Sequence, residues 1–355
     1  MRGSENGALN NSATCGHSRA IRSSPHNVCR ERHERPTHGL GCCTFGDSSM
    51  LMTIAPIKER PAATAVASAA ADMHAMVGLA PLMAASEGST SVTVAVIDGP
   101  VDRTHPALTS AQIEVLGDAA CEPLEGVGCR HGTFTVGLLV AARSEQAPGI
   151  CPGCRLLAYS VFAAGERDSP APSAQPKELA AAILEVVAAG ARIINLSLAL
   201  LEPGPPGAAV IQMALDAAMQ HGVLVAAASG NQGVVGSTAI TRHPWVIPVA
   251  ACSGGGLPLA PSNFAASVGR NGLLAPGEGI RGVKAGGGFD IASGTSVAVP
   301  FVAGALALLA SLCPWASAAE LRRAVAASGI RRRSVVPPLL NAATAWQILM
   351  DGRRG

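Results

Sequence analysis

Four polar residues sit where apolar segments begin or end, and their types suit acyl-transfer chemistry. Ser296 lies in "GTSVAVPFVAG" (294–304), at the mouth of the longest apolar run of the chain. Gly294 permits a sharp turn and close approach of a substrate backbone. The first turn of a helix over 296–312 presents unpaired N–H groups that favour developing negative charge, which suits a nucleophile. Pro300 is expected to be tolerated because first-turn N–H groups have no intrahelical partner to lose. His131 opens "HGTFTVGLLVAA" (131–142), a helical pattern whose first turn would carry the imidazole. Asp98 closes an apolar strand, and a carboxylate there can hold a histidine in one tautomer so that its other nitrogen acts as a base. Asn231, in the turn "GNQG", has an amide that could donate to an oxyanion.

Each residue also has an ordinary structural reading. Asp98 fits a capping residue in an Asp-Gly-Pro turn, and Asp102 a helix or turn cap. A lone histidine is commonly structural, Thr295 or Ser296 fits a simple N-cap, and a turn asparagine needs no further role. Their conjunction, in the order Asp98, His131, Asn231, Ser296, carries more than any one of them.

The elements that must position these residues are legible around them. "SVTVAVIDG" (91–99), "RLLAYSVF" (155–162), "ARIINLSLA" (191–199), "GVLVAAAS" (222–229) and "HPWVIPVAA" (243–251) are apolar at nearly every position, as strands buried on both faces are. Between them, "PKELAAAILEVVAAG" (176–190) and "AAVIQMALDAAMQHG" (208–222) carry helical stripes and end at Gly190 and Gly222. Alternating strands and helices predict an α/β fold of three layers, a mostly parallel central sheet with helices on both faces. Sites in such sheets form beyond the carboxyl ends of the strands, where Asp98, Ser197 and Ser229-Gly230-Asn231 fall.

Composition narrows the function classes. Of 355 residues, 48% are hydrophobic and 14% charged, with net charge +2, which excludes a disordered chain and gives no basic surface for nucleic acid. No uninterrupted apolar stretch of membrane-spanning length is present. The first fifty residues lack the apolar core of a signal peptide, so a cytoplasmic protein with reduced thiols is expected. Residues 1–60 are read as a disordered tail holding Cys15, Cys29, Cys42 and Cys43 with His17, His26, His33 and His38. Their spacing matches no established zinc pattern, and initiation at Met50 or Met52 is an alternative account of this segment. Residues 61–90 form an Ala-rich helical lead-in, 91–349 one continuous domain, and 350–355 a short C-terminal tail. Cys151 and Cys154 are read as two buried thiols in preference to a disulfide or a metal half-site. Arg331-Arg332-Arg333 is read as a solvated loop, with a docking patch for a leader peptide as the alternative.

The local wording resembles the subtilisin-like serine peptidases over roughly residues 75–349. "VAVIDGPVDRTHPAL" (94–108) is similar to that family's aspartate motif, "HGTFTVG" (131–137) to its histidine motif and "AASGNQG" (227–233) to its oxyanion segment. "INLSLA" (194–199) resembles the strand lining its substrate cleft, "LAPGEGI" (274–280) the run ahead of the serine, and "GTSVAVPFVAG" the serine motif itself. The resemblance implies a subtilisin-like fold and a serine endopeptidase with Asp98, His131 and Ser296 as the triad and Asn231 as oxyanion donor. It implies that peptide substrate lies extended along Ser197, Leu198 and Ala199, near Gly230. It implies no required cofactor; structural calcium is frequent in the family, but no Asp-rich loop here names ligands. Departures are Gly99-Pro100 where a hydroxyl residue and glycine are usual, Phe134 and Phe301 where histidines are common, and Ala199 in place of glycine, which narrows a pocket by a methyl group. The Phe positions lie outside the triad, so altered packing is expected there. The Asp-Gly-Pro-Val-Asp wording, with 76–102 and 149–162, looks like the proteases that trim ribosomally made precursor peptides in cyanobactin maturation. A leader-bearing precursor is therefore the implied partner. The competing readings are a catalytically silent peptide-binding homologue and a general degradative protease.

Overall fold

The computed structural model describes residues 52–53, 73–117, 119–163, 165, 173–200, 207–330 and 333–354. Expectations for the rest of the Cys- and His-bearing tail, for residues 61–72 and for Arg331-Arg332 lie outside these. All described residues belong to one unit, Ser48–Gly355.

In chain order the strands are β1 (Met52–Thr53), β2 (Thr93–Asp98), β3 (Gln112–Leu116), β4 (Arg155–Ser160), β5 (Ser173–Ala174), β6 (Ile193–Leu196), β7 (Ala199–Leu200), β8 (Leu224–Ala228), β9 (Ile247–Cys252), β10 (Leu273–Pro276), β11 (Ile280–Val283) and β12 (Phe289–Ala292). The helices are α1 (Ala80–Ala85), α2 (Val127–Val140), α3 (Pro176–Ala188), α4 (Ala208–Gln220), α5 (Ala239–Arg242), α6 (Ala266–Asn271), α7 (Thr295–Leu312), α8 (Ala318–Ala327) and α9 (Ala342–Gly352). Residues 73–76 are also helical.

Seven strands form one sheet in the order β10-β9-β8-β6-β2-β4-β3, and every pair in it is parallel. The alternation along β2 shows why its sequence is apolar throughout. Val94 and Val96 pack into one core with α2 and α7, while Ala95 and Ile97 pack into the other with α3 and α4. The expected three-layer α/β arrangement is therefore what forms. α7 is apolar on all sides and would be long enough to cross a membrane, but 89% of it is buried in the fold.

The run 191–199, expected as one strand, divides. β6 pairs with β2 and β8 and ends at Leu196, while Ala199–Leu200 pairs elsewhere as β7. β7 and β5 flank β1 in a separate three-stranded antiparallel sheet. β3, the parallel edge strand β10 and the hairpin β11–β12 were not anticipated. The connection order reverses at β2, whose chain neighbours β3 and β4 lie to one side and β6 to the other. Such a switch point opens a crevice at the carboxyl ends of the strands.

Candidate active site

Asp98 ends β2 fully buried. Its Oδ1 accepts hydrogen bonds from the Gly99 N–H at 2.7 Å and pairs with His131 Nδ1 at 2.6 Å. The other ring nitrogen, His131 Nε2, lies 3.1 Å from Ser296 Oγ. Asp98, His131 and Ser296 thus form one buried chain of hydrogen bonds across residues 33 and 165 apart in sequence.

Helix α2 carries the imidazole, but it begins at Val127, capped by Gly126, four residues before His131. His131 therefore sits in the second turn, not the first as expected. Glycine lets α2 press against the end of β2. A Cβ at Gly99 would lie 2.1 Å from the Gly128 carbonyl oxygen, and one at Gly132 would lie 2.3 Å from the Gly99 carbonyl oxygen. This approach accounts for the unusual residue after the aspartate: no hydroxyl-bearing side chain fits at 99. Asp98 Oδ2 is buried without a hydrogen-bond partner among the described residues.

Ser296 is the second residue of α7, whose N-cap Gly294 takes φ +146°, a backbone that side chains rarely adopt. The first-turn account of Pro300 requires correction. Pro300 is the sixth residue of α7, and its missing N–H is the one that would have bonded the Ser296 carbonyl. That carbonyl is satisfied from the sheet instead, by Ser197 Oγ at 2.8 Å. Asn195 Nδ2 in turn donates to Ser197 Oγ at 2.8 Å. Ser197 thus ties the end of β6 to the nucleophile's own peptide unit, a role that neither the sequence around Ser197 nor that around Pro300 discloses alone.

Asn231 Oδ1 accepts from the Thr295 N–H at 2.9 Å, and Thr295 Oγ1 accepts from the Gly230 N–H at 3.2 Å. With its carbonyl end engaged one residue from Ser296, Asn231 keeps Nδ2 as the end available to donate. Gly230 takes φ +105° beside it. Leu198 is buried, and Ala199 pairs with Thr53 across β1–β7.

Asp102 lies outside this chain of hydrogen bonds. Its carboxylate accepts from Thr104 Oγ1 at 2.6 Å, Thr104 N–H at 3.0 Å and Gly286 N–H at 2.9 Å. Burial pushes its pKa up, yet these hydrogen bonds outweigh that and hold it below the usual value. It is a turn cap joining the 99–105 loop to the β11–β12 hairpin. A second link between these parts was missed from sequence: Arg130, beside the imidazole, pairs with Asp290 of β12 at 2.6 Å, both side chains nearly buried.

The two Phe departures are packing changes, as expected. Phe134 lies against Gly282, and Phe301 faces the ring of His74 from the lead-in at 5.6 Å. Cys151 and Cys154 are buried free thiols, with Cys151 raised by its hydrogen bond to Cys154 and by burial. The all-thiol expectation fails at Cys121 and Cys129, which form a disulfide; their Cα atoms are 5.1 Å apart, within bridging range. Among the described residues no group of three or more His, Cys, Asp or Glu gathers as a metal site.

Comparison with known proteins agrees with this geometry. Residues 89–329 match the model of the Subtilase family. Subtilisin E of Bacillus subtilis (strain 168) is 34% identical over 248 residues, 67% of this chain and 60% of that protein. Subtilisin BL of Lederbergia lenta is 30% identical, over 66% of this chain and 81% of that one. The chain thus spans about 60% of the length of the first of these relatives. Among solved structures, a mutant of the protease domain of PatA is similar with a TM-score of 0.68 and 32% identity, covering 75% of this chain and 97% of that one. The prenylagaramide maturation protease PagA gives 0.69 and 30%, covering 77% and 98%. On the family match, the curated relatives and the shared fold together, this chain belongs to the subtilase family of serine peptidases.

Proposed function

We propose that this chain is a serine endopeptidase that cuts precursor peptides through an acyl-enzyme. The observation that carries the reading is the continuous hydrogen-bond chain Asp98–His131–Ser296, at 2.6 and 3.1 Å. In it His131 Nε2 takes the Ser296 hydroxyl proton as Oγ attacks a peptide carbonyl. Asp98 holds the ring by Nδ1 and stabilises the imidazolium. Asn231 Nδ2 and the Ser296 N–H stabilise the tetrahedral oxyanion. His131 returns the proton to the leaving amine, and water then releases the acyl group. No step needs a metal or organic cofactor.

Substrate lies extended along Ser197–Ala199, completing a sheet through main-chain hydrogen bonds. The domain doing this work spans 91–349. Similarity to PatA and PagA, both described as maturation proteases, supports precursor peptides as the substrate class. A leader segment of such a precursor is the recognition partner this reading implies. Among the described residues, the buried free thiols Cys151, Cys154, Cys252 and Cys313 support a cytoplasmic setting, while the Cys121–Cys129 disulfide weighs against it.

Digestion of a proteome-derived peptide library, read by mass spectrometry, tests the substrate class. A processing enzyme yields few cleavages sharing a narrow sequence preference. Broad cleavage across the library would instead identify a degradative protease.

A further inference from the structure

Asn231 lies on a turn whose course is held by a second asparagine. Asn263 is 3% exposed, and its polar groups are engaged by the turn around Asn231. Its N–H donates to the Gly230 carbonyl at 2.9 Å. Its Oδ1 accepts from the Gln232 N–H at 3.0 Å and the Val234 N–H at 3.2 Å, and its Nδ2 donates to Gln232 Oε1 at 2.5 Å. Two main-chain N–H groups can face only an oxygen, so these partners fix which way the amide points. The residues on either side of Asn231 are therefore both bonded to Asn263. The segment bearing Asn263 is in turn anchored to the sheet. Ser262 Oγ accepts from the Ala251 N–H of β9 at 3.1 Å, and the Pro261 carbonyl accepts from the Gly233 N–H at 2.8 Å.

We propose that Asn263 is a positioning residue of the oxyanion site, fixing the 230–234 turn so that Asn231 Nδ2 is aimed before negative charge develops. The proposal rests on the assignment of Asn231 as oxyanion donor. Gln232 and Val234 are exposed, so packing of their side chains gives the turn little rigidity. The buried amide supplies that rigidity through hydrogen bonds. Side-chain length matters here. A Cβ at Gly230 would lie 2.3 Å from Asn263 Nδ2, so the amide rests directly on the backbone of residue 230. Alanine at 263 removes the acceptor for both N–H groups, whereas aspartate keeps the same reach and both lone-pair directions. A donor stabilises an oxyanion only when it is held in place before the reaction, and misplacement by ~1 Å costs about 10²-fold.

The test is a double-mutant cycle on the full chain. Wild type, Asn231→Ala, Asn263→Ala and the double variant are compared by kcat and KM for a tetrapeptide p-nitroanilide, with circular dichroism to show folded protein. Asn263→Ala should lower kcat by about 10- to 100-fold with KM little changed. In the Asn231→Ala background the same substitution should lower kcat by less than about threefold, because the donor it positions is gone. A merely structural role would act equally in both backgrounds. Asn263→Asp should recover most of the kcat lost in Asn263→Ala, since Gln232 can turn its amide N–H toward the carboxylate. Hydrogen exchange on the wild type gives a readout that needs neither turnover nor a folded variant. The amides of Gln232 and Val234 should be protected although both residues are exposed. If Asn263→Ala does not fold, Asn263→Asp and the wild-type exchange carry the decision. Equal losses in the two backgrounds, an Asn263→Asp variant no better than Asn263→Ala, or unprotected amides at 232 and 234 overturns the proposal. Unchanged kcat in Asn231→Ala overturns the oxyanion assignment itself, and the proposal with it.

Discussion

Gly99→Ala should disable the enzyme although residue 99 touches no substrate in the proposed mechanism. The added Cβ falls 2.1 Å from the Gly128 carbonyl oxygen and 2.6 Å from its carbon. Non-bonded heavy atoms settle at about 3.5 Å, so the end of β2 and helix α2 must separate by more than ~1 Å. Gly128 lies less than one turn before His131 on the same helix, so the shift reaches the imidazole. The 2.6 Å contact between Asp98 Oδ1 and His131 Nδ1 then exceeds hydrogen-bonding distance. Misplacement by ~1 Å alone costs about 10²-fold, and loss of the aspartate's control of the tautomer about 10⁴-fold. The predicted fall in kcat/KM for a peptide substrate lies between these, with kcat carrying most of it. Crowding itself should destabilise the fold by about 1–3 kcal/mol, so circular dichroism and a thermal melt accompany the kinetics to show folded protein. A folded Gly99→Ala variant within threefold of wild-type kcat/KM would refute the claim that the approach of α2 to β2 sets the triad geometry.

Three further outcomes follow from named contacts. Asn231→Ala should lower kcat by roughly 10²–10³ with KM little changed, since its amide is assigned to the oxyanion alone; a change in KM only would move Asn231 to substrate binding. Asp290→Ala deprives Arg130 of a carboxylate at 2.6 Å in a nearly buried pair and should cost on the order of 3 kcal/mol in urea unfolding. Replacing both partners by apolar residues should recover most of that loss, and failure to recover would show the pair is not its source. Burial, with the charge of Arg143 second, lowers the pKa of His74 to about 4 from 6.5. The unfolded chain therefore takes up a proton, as pH falls from about 6.5 toward 4, that the folded chain refuses. Stability contributed above pH 6.5 is lost across that window, on the order of 3 kcal/mol. His74→Gln should flatten the dependence of the urea midpoint on pH there, and an unchanged slope would assign it to another group.

The residues of the site were legible because each lies in a short local pattern at a strand or helix end. Asp98 closes an apolar strand, and Ser296 follows a glycine at the mouth of an apolar helix. What the sequence did not disclose depends on contacts between distant segments. Pro300 was visible, but its consequence, a Ser296 carbonyl left for Ser197 to satisfy, spans 99 residues. The pairing of Arg130 with Asp290 spans 160 residues. The helix start at Val127 was hidden because Val127, Gly128 and Cys129, ahead of Arg130, all have weak helix preference. β3 alternates weakly at a half-exposed sheet edge, and β1 is two residues long, so neither has a periodicity that single-sequence reading can register. The division between β6 and β7 follows from partners: the main ladder stops at Leu196, and Ala199 finds β1 instead.

The central claim is that His131, held by Asp98, activates Ser296. Its most direct test is the rate of fluorophosphonate labelling, with the modified residue located by peptide mass spectrometry. The account predicts a single adduct on Ser296 in the wild type, none in Ser296→Ala, and labelling slowed by about 10³-fold or more in folded His131→Ala. An adduct on another residue, or His131→Ala labelling at the wild-type rate, would contradict it.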